Sequence, residues 1–417
     1  MNLRILPGAL TGTVRAPASK SAAHRAIICA CLAGGGTVAG LDLSEDLSAT
    51  LECMRSLGAQ AEIDGGDVRI AGFTSAHGAV LDCGESGSTL RFLLPVAGVL
   101  GAEAVLCGRG RLPERPYSAL TAQMAEHGMR FDRETGLPLT CEGRLRGGRY
   151  RLPGNVSSQF LSGLLLALPL AEEDSVIELT SPLESCSYVT LTIQTMRAFG
   201  VNVREETCAF CVSGGQQYAP RNIVVEGDYS NAAFWMAAGA LGGDVTVTGL
   251  NPDSVQGDSA FAELLSRMGA RVERMGNCVR VRPGKLSAIR ADVSQIPDLV
   301  PILAVVLAHA EGESKLYNAA RLRIKECDRL HATAENLSAL GVWVEEGADF
   351  LTIRGERSFL PARVSGWNDH RMVMSMAIAG AFGSGIEIEG CQAVGKSYPR
   401  FFEDLSALGG RAETVIE

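Results

Sequence analysis

Apolar and polar positions along this chain fall into two interleaved series of segments. In the first series, an amphipathic helical pattern ends at a glycine and continues into a strand-like alternation of apolar and polar residues. The series has six members, and their glycines are spaced by 70, 72, 69, 72 and 68 residues: Gly58, Gly128, Gly200, Gly269, Gly341 and Gly409. Glycine is the residue expected where a helix ends in the left-handed conformation. The pattern therefore predicts six copies of a helix followed by a strand.

The second series consists of six segments that are apolar on nearly all sides of a helix. Each opens with polar residues, closes at a glycine or a small turn, and precedes an alternating strand. The segments are 24–41, 89–108, 157–179, 230–250, 297–318 and 369–390. A helix that is apolar all round is a buried helix. We expect these six helices to be buried and those of the first series to be more exposed.

Together the two series define a repeat of about 70 residues with two helices and strands between them. This period is long for a solenoid, and the repeat content favours compact α/β domains. Six repeats fill the chain. The sequence therefore predicts two domains of three repeats each, with the chain crossing between them near residues 220–228.

Composition excludes several classes of protein. With 46% hydrophobic residues the chain can offset the entropy of ordering, so it is not disordered. Its 38 basic and 47 acidic residues give a net charge of −9, which does not suit a general nucleic-acid binder. The apolar segments are shorter than a membrane span, and no export signal is evident, so we expect a cytoplasmic protein with reduced cysteines. The C-x-x-C pair, Cys208 and Cys211, lies in a strand-like run, where the two side chains point to opposite faces, and indicates no metal site.

Polar residues that can take part in binding or catalysis concentrate where the buried helices begin. A helix N-terminus favours anions, because its N–H groups are unpaired and its dipole is positive there. For Ser88, Thr89, Ser230 and Asn231 ordinary capping explains the pattern. It does not explain cations, since a positive charge opposes the dipole by typically about 0.3–1 kcal/mol unless an anion is present. The helix-start cations therefore indicate a ligand; they are Lys20, Arg25 and Arg371.

Three further segments are rich in charge. The segment 111–118 reads as an ordered loop that exposes the guanidinium groups of Arg111 and Arg115. The segment 321–330 is either a solvated, salt-bridged helix start or part of an anion site. Lys396 lies ahead of the last amphipathic helix. Taken together, these segments indicate a basic cleft that can bind phosphate in an otherwise acidic protein. The carboxylates of Asp298 and Glu326 are available there for proton transfer.

Nine motifs carry a resemblance to a known family. They are ASKSAAHRA, GESGSTLR, LPERP, NVSSQF, VEGD, IPDL, KECDRL, NDHRM and GKSYPRFF. In this order they resemble the 5-enolpyruvylshikimate-3-phosphate (EPSP) synthases of the enolpyruvyl transferase family, from about Lys20 to Phe402. The resemblance implies an α/β fold of two domains, each of three βαβαββ-type units, with buried parallel helices and surface sheets. We expect domains at 19–226 and at 1–18 plus 227–417, with the active site in the interdomain cleft.

The resemblance also implies an activity. The family transfers the enolpyruvyl group of phosphoenolpyruvate to the 5-hydroxyl of shikimate 3-phosphate by addition and elimination, which serves chorismate and aromatic amino acid biosynthesis. It implies no metal, no organic cofactor, no nucleic-acid or membrane partner, and a monomer. The herbicide glyphosate, which takes the place of phosphoenolpyruvate, targets this family.

Residue roles follow from the matching motifs. The resemblance implies shikimate 3-phosphate contacts from Lys20, Ser21, Arg25, Ser157, Ser158, Gln159, Ser185, Asp298 and Lys325. It implies phosphoenolpyruvate contacts from Lys20, Gly87, Arg115, Gln159, Arg329, Arg371 and Lys396. The implied catalytic residues are Asp298 as proton acceptor, Glu326 as a second acid or base, and Lys20. The sequence leaves open which of these three serves each proton transfer.

The chain departs from the family pattern at three places. Glu85 and Ser86 stand where many members have Asn and Ala, which puts a charge beside the phosphoenolpyruvate site and leaves glyphosate sensitivity open. Arg321 stands where some members have Asn, and its role stays open. Cys327 replaces the usual Ser or Thr, either as a reactive thiol or, as we expect, as a plain small residue.

Two other functions compete with this one. A UDP-N-acetylglucosamine enolpyruvyl transferase has the same architecture, but it usually has Asn after its N-terminal Lys and a Cys in a mobile loop. Here Ser21 follows Lys20, and the loop at 108–116 contains no Cys. A non-catalytic anion-binding homologue is the other alternative, and the intact set of Lys20, Asp298, Glu326, Arg329 and Arg371 argues against it.

Overall fold

A computed structural model describes residues 1–355 and 358–415. The chain forms two compact units. The continuous unit is Lys20–Val225, and the split unit combines Met1–Ser19 with Glu226–Glu417.

The described residues contain twelve α-helices. In chain order they are α1 Lys20–Leu32, α2 Glu45–Ser56, α3 Gly87–Leu100, α4 Ser118–Glu126, α5 Ser158–Ala167, α6 Cys186–Ala198, α7 Tyr229–Leu241, α8 Ala260–Met268, α9 Val300–Leu307, α10 Arg329–Ala339, α11 His370–Ala381 and α12 Phe401–Ala407.

The odd-numbered helices are the buried series and the even-numbered helices the amphipathic series. Every residue of α9 is buried, and α7 and α11 are buried along their lengths. In contrast, α12 buries only Phe401 and Leu405. The predicted division into buried and exposed helices is confirmed. Within the described part of the chain, every helix falls short of the length and apolar character needed to cross a bilayer.

The same residues form 24 strands. They are β1 Leu3–Leu6, β2 Thr11–Arg15, β3 Gly36–Ala39, β4 Ala59–Asp64, β5 Asp67–Phe73, β6 Val80–Asp82, β7 Ala104–Cys107, β8 Met129–Phe131, β9 Leu139–Gly143, β10 Gly148–Leu152, β11 Ser175–Leu179, β12 Val203–Glu206, β13 Ala209–Val212, β14 Arg221–Val224, β15 Asp244–Thr248, β16 Arg271–Met275, β17 Cys278–Arg282, β18 Arg290–Asp292, β19 Glu313–Tyr317, β20 Trp343–Glu346, β21 Phe350–Arg354, β22 Ala362–Ser365, β23 Ile386–Glu389 and β24 Arg411–Thr414.

These strands form six four-stranded sheets with one common pattern. In the sheet β6-β7-β9-β8, β6 and β7 are parallel with α3 between them, and β7 and β8 pair antiparallel with β9. The sheets β10-β11-β13-β12 and β18-β19-β21-β20 repeat it from consecutive segments. The predicted βαβαββ unit is therefore confirmed. A helix joins the parallel strands, because a parallel pair needs a crossover connection whereas an antiparallel pair needs only a turn.

The other three sheets each take one strand from a distant part of the chain. In the continuous unit, β14 pairs in parallel with β3, so Arg221 lies opposite Gly36. In the split unit, β2 pairs in parallel with β15, and β1 lies between β23 and β24. Residues 1–19 therefore fold with the C-terminal half of the chain.

The glycines of the first series end their helices as predicted. All six have a positive φ, between 85° and 112°. At Gly58 an added Cβ would also collide with the carbonyl oxygen of Thr74, so both conformation and space require glycine.

One prediction about the cysteines is wrong. Cys208 does not share a strand with Cys211; it lies in the turn between β12 and β13, and Cys211 lies in β13. The polar residues at 204–207 read as part of one strand, but they end β12 and begin a hairpin turn.

Candidate active site

Lys20 is the first residue of α1 and is fixed by a carboxylate of α2. Its ammonium lies 2.7 Å from Oδ2 of Asp46, and the two side chains are only 15% and 12% exposed. Asp46 lies in the first turn of α2, where an acidic group is favourable. Asp46 is not among the predicted site residues, because a Ser-Glu-Asp helix start is an ordinary capping pattern and nothing in it indicates a partner 26 residues away.

Arg25 lies one turn further along α1 and is buried. Its Nε donates to Oγ1 of Thr192 at 2.7 Å, and its Nη atoms donate to the carbonyl oxygens of Ser21 and Tyr188 at 2.6 and 3.0 Å. The guanidinium also lies 4.9 Å from the ring centroid of Phe92. Burial lowers the pKa of Arg25 to about 10. Each of these hydrogen bonds ends on a neutral oxygen, so none of them cancels the charge of Arg25.

Gly87 opens α3 directly against the guanidinium of Arg115. An added Cβ on Gly87 would lie 2.7 Å from both Cζ and Nη1 of Arg115. Arg115 is only 7% exposed, so the prediction of an exposed guanidinium is wrong for this residue. The reason is the 3-10 turn Leu112–Glu114, which returns the chain toward α3. Arg111, by contrast, keeps a side chain that is 38% exposed.

The carboxylate of Glu85 lies against Gly110, where an added Cβ would meet it. The charge that departs from the family pattern is therefore directed at the loop 109–111 and lies next to the start of α3.

Gln159 connects α5 to α3. Its Oε1 accepts from Nη1 of Arg91 at 2.7 Å, and its Nε2 donates to Oγ of Ser88 at 2.8 Å. Arg91 also donates to the carbonyl oxygen of Pro116 at 3.0 Å. Arg91 was not among the predicted site residues, although a cation near a helix N-terminus is the signal that identified Arg25.

The predicted serines lie at two helix starts. Ser157 caps α5 by accepting from the backbone N–H of Gln159 at 3.3 Å, and Ser158 is the first residue of that helix. Ser185 precedes α6 with a φ of 55° and is buried. Tyr188 and Thr192, which accept hydrogen bonds from Arg25, lie in α6. Ser185 therefore lies at the start of the helix that contacts Arg25. We call the predicted site residues of this unit the first cluster: Lys20, Ser21, Arg25, Gly87, Arg115, Ser157, Ser158, Gln159 and Ser185.

Asp298 meets three cations in the split unit. It lies in the 3-10 turn Pro297–Leu299, and its Oδ1 is 3.1 Å from Lys325 and 2.7 Å from Arg329. Its Oδ2 is 3.6 Å from Arg371. Burial would raise the pKa of this carboxyl, but Lys325, Arg371 and Arg329 hold it well below its usual range. Asp298 is therefore ionised and can accept a proton. The N-cap residue of α9 is Leu299 and not Asp298.

Arg329 is the first residue of α10 and contacts three carboxylates. Its Nη1, Nη2 and Nε lie 2.7, 2.8 and 2.7 Å from Asp298, Glu326 and Asp369. Burial would lower its pKa, but these carboxylates raise it well above its ordinary value. Since Arg329 is 1% exposed, the alternative of a solvated helix start is wrong for this residue.

Lys325 and Cys327 flank Glu326 and differ in character. Burial lowers the pKa of Lys325 to about 8; the positive charges of Arg321 and Arg329 contribute to this, and Asp298 opposes it. Arg321 thus adds positive potential at Lys325. The thiol of Cys327 donates to Oδ2 of Asp369 at 3.5 Å, and burial raises its pKa. Cys327 is therefore a buried small residue and not a reactive thiolate.

Arg371 and Lys396 hold the turn that begins α11. Asp369 caps this helix by accepting from the backbone N–H of Arg371 at 2.8 Å, while Nη1 of Arg371 donates to the carbonyl oxygen of Asp298 at 3.2 Å. Lys396 donates to the carbonyl oxygen of Asn368 at 2.6 Å. The second cluster consists of the site residues of the split unit: Asp298, Lys325, Glu326, Arg329, Asp369, Arg371 and Lys396. In the part of the chain that the structure describes, no group of three or more His, Cys, Asp or Glu side chains is arranged to hold a metal ion.

Comparisons with known proteins show the family of this chain. A family model described as EPSP synthase (3-phosphoshikimate 1-carboxyvinyltransferase) matches residues 6–405. A 3-phosphoshikimate 1-carboxyvinyltransferase of Clostridium kluyveri is 43% identical over 415 residues, which cover 98% of this chain and 97% of that one. One from Clostridium perfringens is 42% identical over 414 residues, covering 97% of this chain and 98% of the relative.

Solved structures extend the comparison to the fold. EPSP synthase from Acinetobacter baumannii superposes with a TM-score of 0.83 at 29% identity, covering 99% of this chain and 100% of that one. The enolpyruvyl transferase NikO from Streptomyces tendae shares the fold with a TM-score of 0.81 at 19% identity, covering 100% and 99%.

Proposed function

Because this chain belongs to the EPSP synthase family, we propose that it transfers the enolpyruvyl group of phosphoenolpyruvate to the 5-hydroxyl of shikimate 3-phosphate and releases phosphate. This is a step of the shikimate pathway, which leads to chorismate and the aromatic amino acids. The observation that carries the proposal is the match of the family model to residues 6–405, a range that contains every residue of both clusters.

The first cluster supplies most of the proposed shikimate 3-phosphate contacts: Lys20, Ser21, Arg25, Ser157, Ser158, Gln159 and Ser185. Support comes from Arg25, whose hydrogen bonds with neutral oxygens leave its charge available to a phosphate. The starts of α1 and α5 add N–H groups and positive dipole ends. Lys325 and Asp298 of the split unit complete the proposed contacts of this substrate.

Cations of both clusters hold the proposed phosphoenolpyruvate. They are Lys20, Arg115, Arg329, Arg371 and Lys396, with Gly87 and Gln159 as neutral contacts. Two anionic substrates repel each other, so fixed cations are needed to hold them in a reactive geometry. The proposal therefore keeps the expectation that the predicted domains, 19–226 and 1–18 plus 227–417, both serve one reaction.

The contacts of the three catalytic candidates suggest their roles. Asp298, held ionised by its cations, takes the proton of the 5-hydroxyl as that oxygen bonds to C2 of phosphoenolpyruvate. The ammonium of Lys20 gives a proton to C3, which completes a tetrahedral intermediate. Glu326, paired with Arg329, then removes a proton from C3 as phosphate leaves C2. One of the two protons now on carboxylates returns to Lys20, and the other leaves with phosphate.

Phosphate release is the experiment that tests this function. We expect release from phosphoenolpyruvate with shikimate 3-phosphate and none with UDP-N-acetylglucosamine. Release with the nucleotide sugar alone would support the sister transferase. Release with neither acceptor, together with binding of shikimate 3-phosphate, would support an anion-binding homologue.

The predictions of a monomer and of a cytoplasmic location belong to the same proposal. Lys20→Met and Asp298→Asn each remove a catalytic group from a different unit. If each copy of the chain carries a complete site, mixing the two inactive variants restores no activity. Recovered activity in the mixture would show that copies share a site, and cell fractionation tests the location.

A further inference from the structure

A row of buried polar side chains joins the first three helices of the continuous unit. Nδ1 of His24 in α1 lies 2.7 Å from Oγ1 of Thr50 in α2, and Oγ1 of Thr50 lies 2.7 Å from Oγ1 of Thr89 in α3. Thr89 then donates to Oγ of Ser86 at 2.7 Å. All four residues are at most 1% exposed. We call them the hydroxyl chain, and none of them belongs to the first cluster.

The hydroxyl chain lies one turn beneath the pair of Lys20 and Asp46. His24 follows Lys20 by four residues in α1, and Thr50 follows Asp46 by four residues in α2, so the two pairs are successive links between the same helices. Oγ1 of Thr89 also lies 3.4 Å from the carbonyl oxygen of Asp46. The position of Lys20 relative to α3 is therefore set by these contacts.

At its other end the hydroxyl chain reaches the start of α3. Ser86 caps this helix by accepting from the backbone N–H of Thr89 at 3.2 Å. The next residue is Gly87, which packs against the guanidinium of Arg115. The hydroxyl chain thus connects the pair of Lys20 and Asp46 to Gly87 and Arg115. Lys20, Gly87 and Arg115 are proposed contacts of phosphoenolpyruvate.

We propose that His24, Thr50, Thr89 and Ser86 are positioning residues that fix Lys20, Gly87 and Arg115. Their effect falls mainly on phosphoenolpyruvate, because all three of these residues are its proposed contacts, whereas only Lys20 is also a proposed contact of shikimate 3-phosphate. This inference rests on the proposed function. Arg25, the buried cation proposed for shikimate 3-phosphate, depends on a separate set of contacts with Ser21, Tyr188 and Thr192. Both sets start from α1, but the first reaches α2 and α3 whereas the second reaches α6, so their effects on the two substrates are separable.

The hydrogen bonds of the hydroxyl chain all run in one direction, from His24 to Ser86. Thr89 gives its proton to Ser86, Thr50 gives its proton to Thr89, and the Nδ1–H of His24 donates to Thr50; this tautomer is assigned from the network. Burial, with the charges of Lys20 and Arg25, holds the pKa of His24 well below its usual value, so the ring is neutral. Each hydrogen bond of this buried row fixes its neighbours, and loss of one member leaves them unpaired. Among the described residues, Nε2 of His24 has no hydrogen-bond partner, so Thr50 holds the ring through Nδ1 alone.

Thr50→Val tests the proposal, because it removes the central hydroxyl and keeps the shape of the side chain. We expect the KM for phosphoenolpyruvate to rise about tenfold and the KM for shikimate 3-phosphate to stay within about twofold. Thr50→Ser keeps the hydroxyl and should restore the KM for phosphoenolpyruvate to within about twofold of wild type.

Two control variants sharpen this test. Thr195→Val removes a hydroxyl that donates to the carbonyl oxygen of Leu191 within α6, and it should leave both KM values unchanged. Thr192→Val removes the partner of Arg25 and should raise the KM for shikimate 3-phosphate instead. If Thr50→Val does not fold, Ser86→Ala carries the test, since it removes the last hydroxyl of the hydroxyl chain, at the N-cap of α3, and should raise the KM for phosphoenolpyruvate.

An equal rise of both KM values, or a lower melting temperature with both KM values unchanged, would reduce the hydroxyl chain to a purely structural role and overturn the inference. A wild-type chain that releases no phosphate would overturn the proposed function itself. Activity of the wild type therefore separates the two failures.

Discussion

Arg25 and Arg329 are both buried arginines, but the two units hold them in opposite ways. Arg25 donates to a hydroxyl and to backbone carbonyl oxygens, whereas Arg329 donates to three carboxylates. Burial accordingly lowers the pKa of Arg25, while the carboxylates raise that of Arg329 against the effect of burial.

The difference shows two uses of a buried cation. Neutral acceptors position a guanidinium without cancelling its charge, which keeps it available for an anionic ligand. Carboxylate partners share the charge and are themselves kept ionised, as at Asp298. The first arrangement leaves the whole charge to an anionic ligand, whereas the second also keeps a neighbouring base ionised.

The largest expected effect compares removal of the two arginines. Arg329→Met leaves three carboxylates without their shared cation and should cost about 3–5 kcal/mol of unfolding free energy. Arg25→Met leaves neutral oxygens unpaired and should cost about 1–3 kcal/mol. Urea denaturation of both variants measures the difference. Equal losses would mean that the partners' charges do not distinguish the two sites.

Asp298→Asn removes the base but keeps the shape of the side chain. We expect turnover to fall by a factor of about 100 or more, with the KM for shikimate 3-phosphate within about tenfold of wild type. Asp292→Asn is the matched control, because Asp292 accepts from Ser294 and Asn318 at the protein surface, and its turnover should not change. Near-normal turnover of Asp298→Asn, with the fold verified by circular dichroism, would exclude the catalytic role.

Gly87→Ala tests whether the first cluster is shaped for phosphoenolpyruvate. The new methyl displaces the guanidinium of Arg115, so the KM for phosphoenolpyruvate should rise by up to about 100-fold. Inhibition by glyphosate should weaken at least as much, while the KM for shikimate 3-phosphate stays near wild type. Gly98→Ala is the control in the same helix, since its methyl meets the flexible side chain of Met129. Loss of both substrates in Gly87→Ala would indicate a misfolded turn.

The pH dependence of kcat/KM for shikimate 3-phosphate should report Lys325. Its pKa is lowered to about 8, so Lys325 is charged below that pH and neutral above it. Since a phosphate needs the charged form, kcat/KM should fall as pH rises through 8, by about tenfold at pH 9. Lys325→Arg stays charged and should remove this decline. An unchanged profile in that variant would assign the titration to another group.

The smallest expected effect is at Cys327. Cys327→Ser keeps a small donor to Asp369, so turnover should stay within about twofold of wild type and the activity should become no less sensitive to thiol reagents. Loss of such sensitivity in this variant would identify Cys327 as the reactive thiol that its burial argues against.

Local sequence determined the repeated frame of this protein. Gly58 and its five counterparts end helices with positive φ, and the apolar helices are buried, because helix termination and burial depend on neighbouring residues and on periodicity. The motifs also predicted the site residues, which stay predictions, and the comparisons confirm the family that the motifs resemble.

Tertiary structure decided how these residues are used. No local pattern shows that Asp46 pairs with Lys20, that Arg115 packs on Gly87, or that Arg329 is buried among carboxylates. Local patterns also do not show that β14 pairs with β3, or that β1 and β2 pair with strands of the split unit. The physical reason is the same in each case. An ion pair or a strand pairing depends on distance in space and on burial, and both arise only when segments far apart in sequence pack against one another.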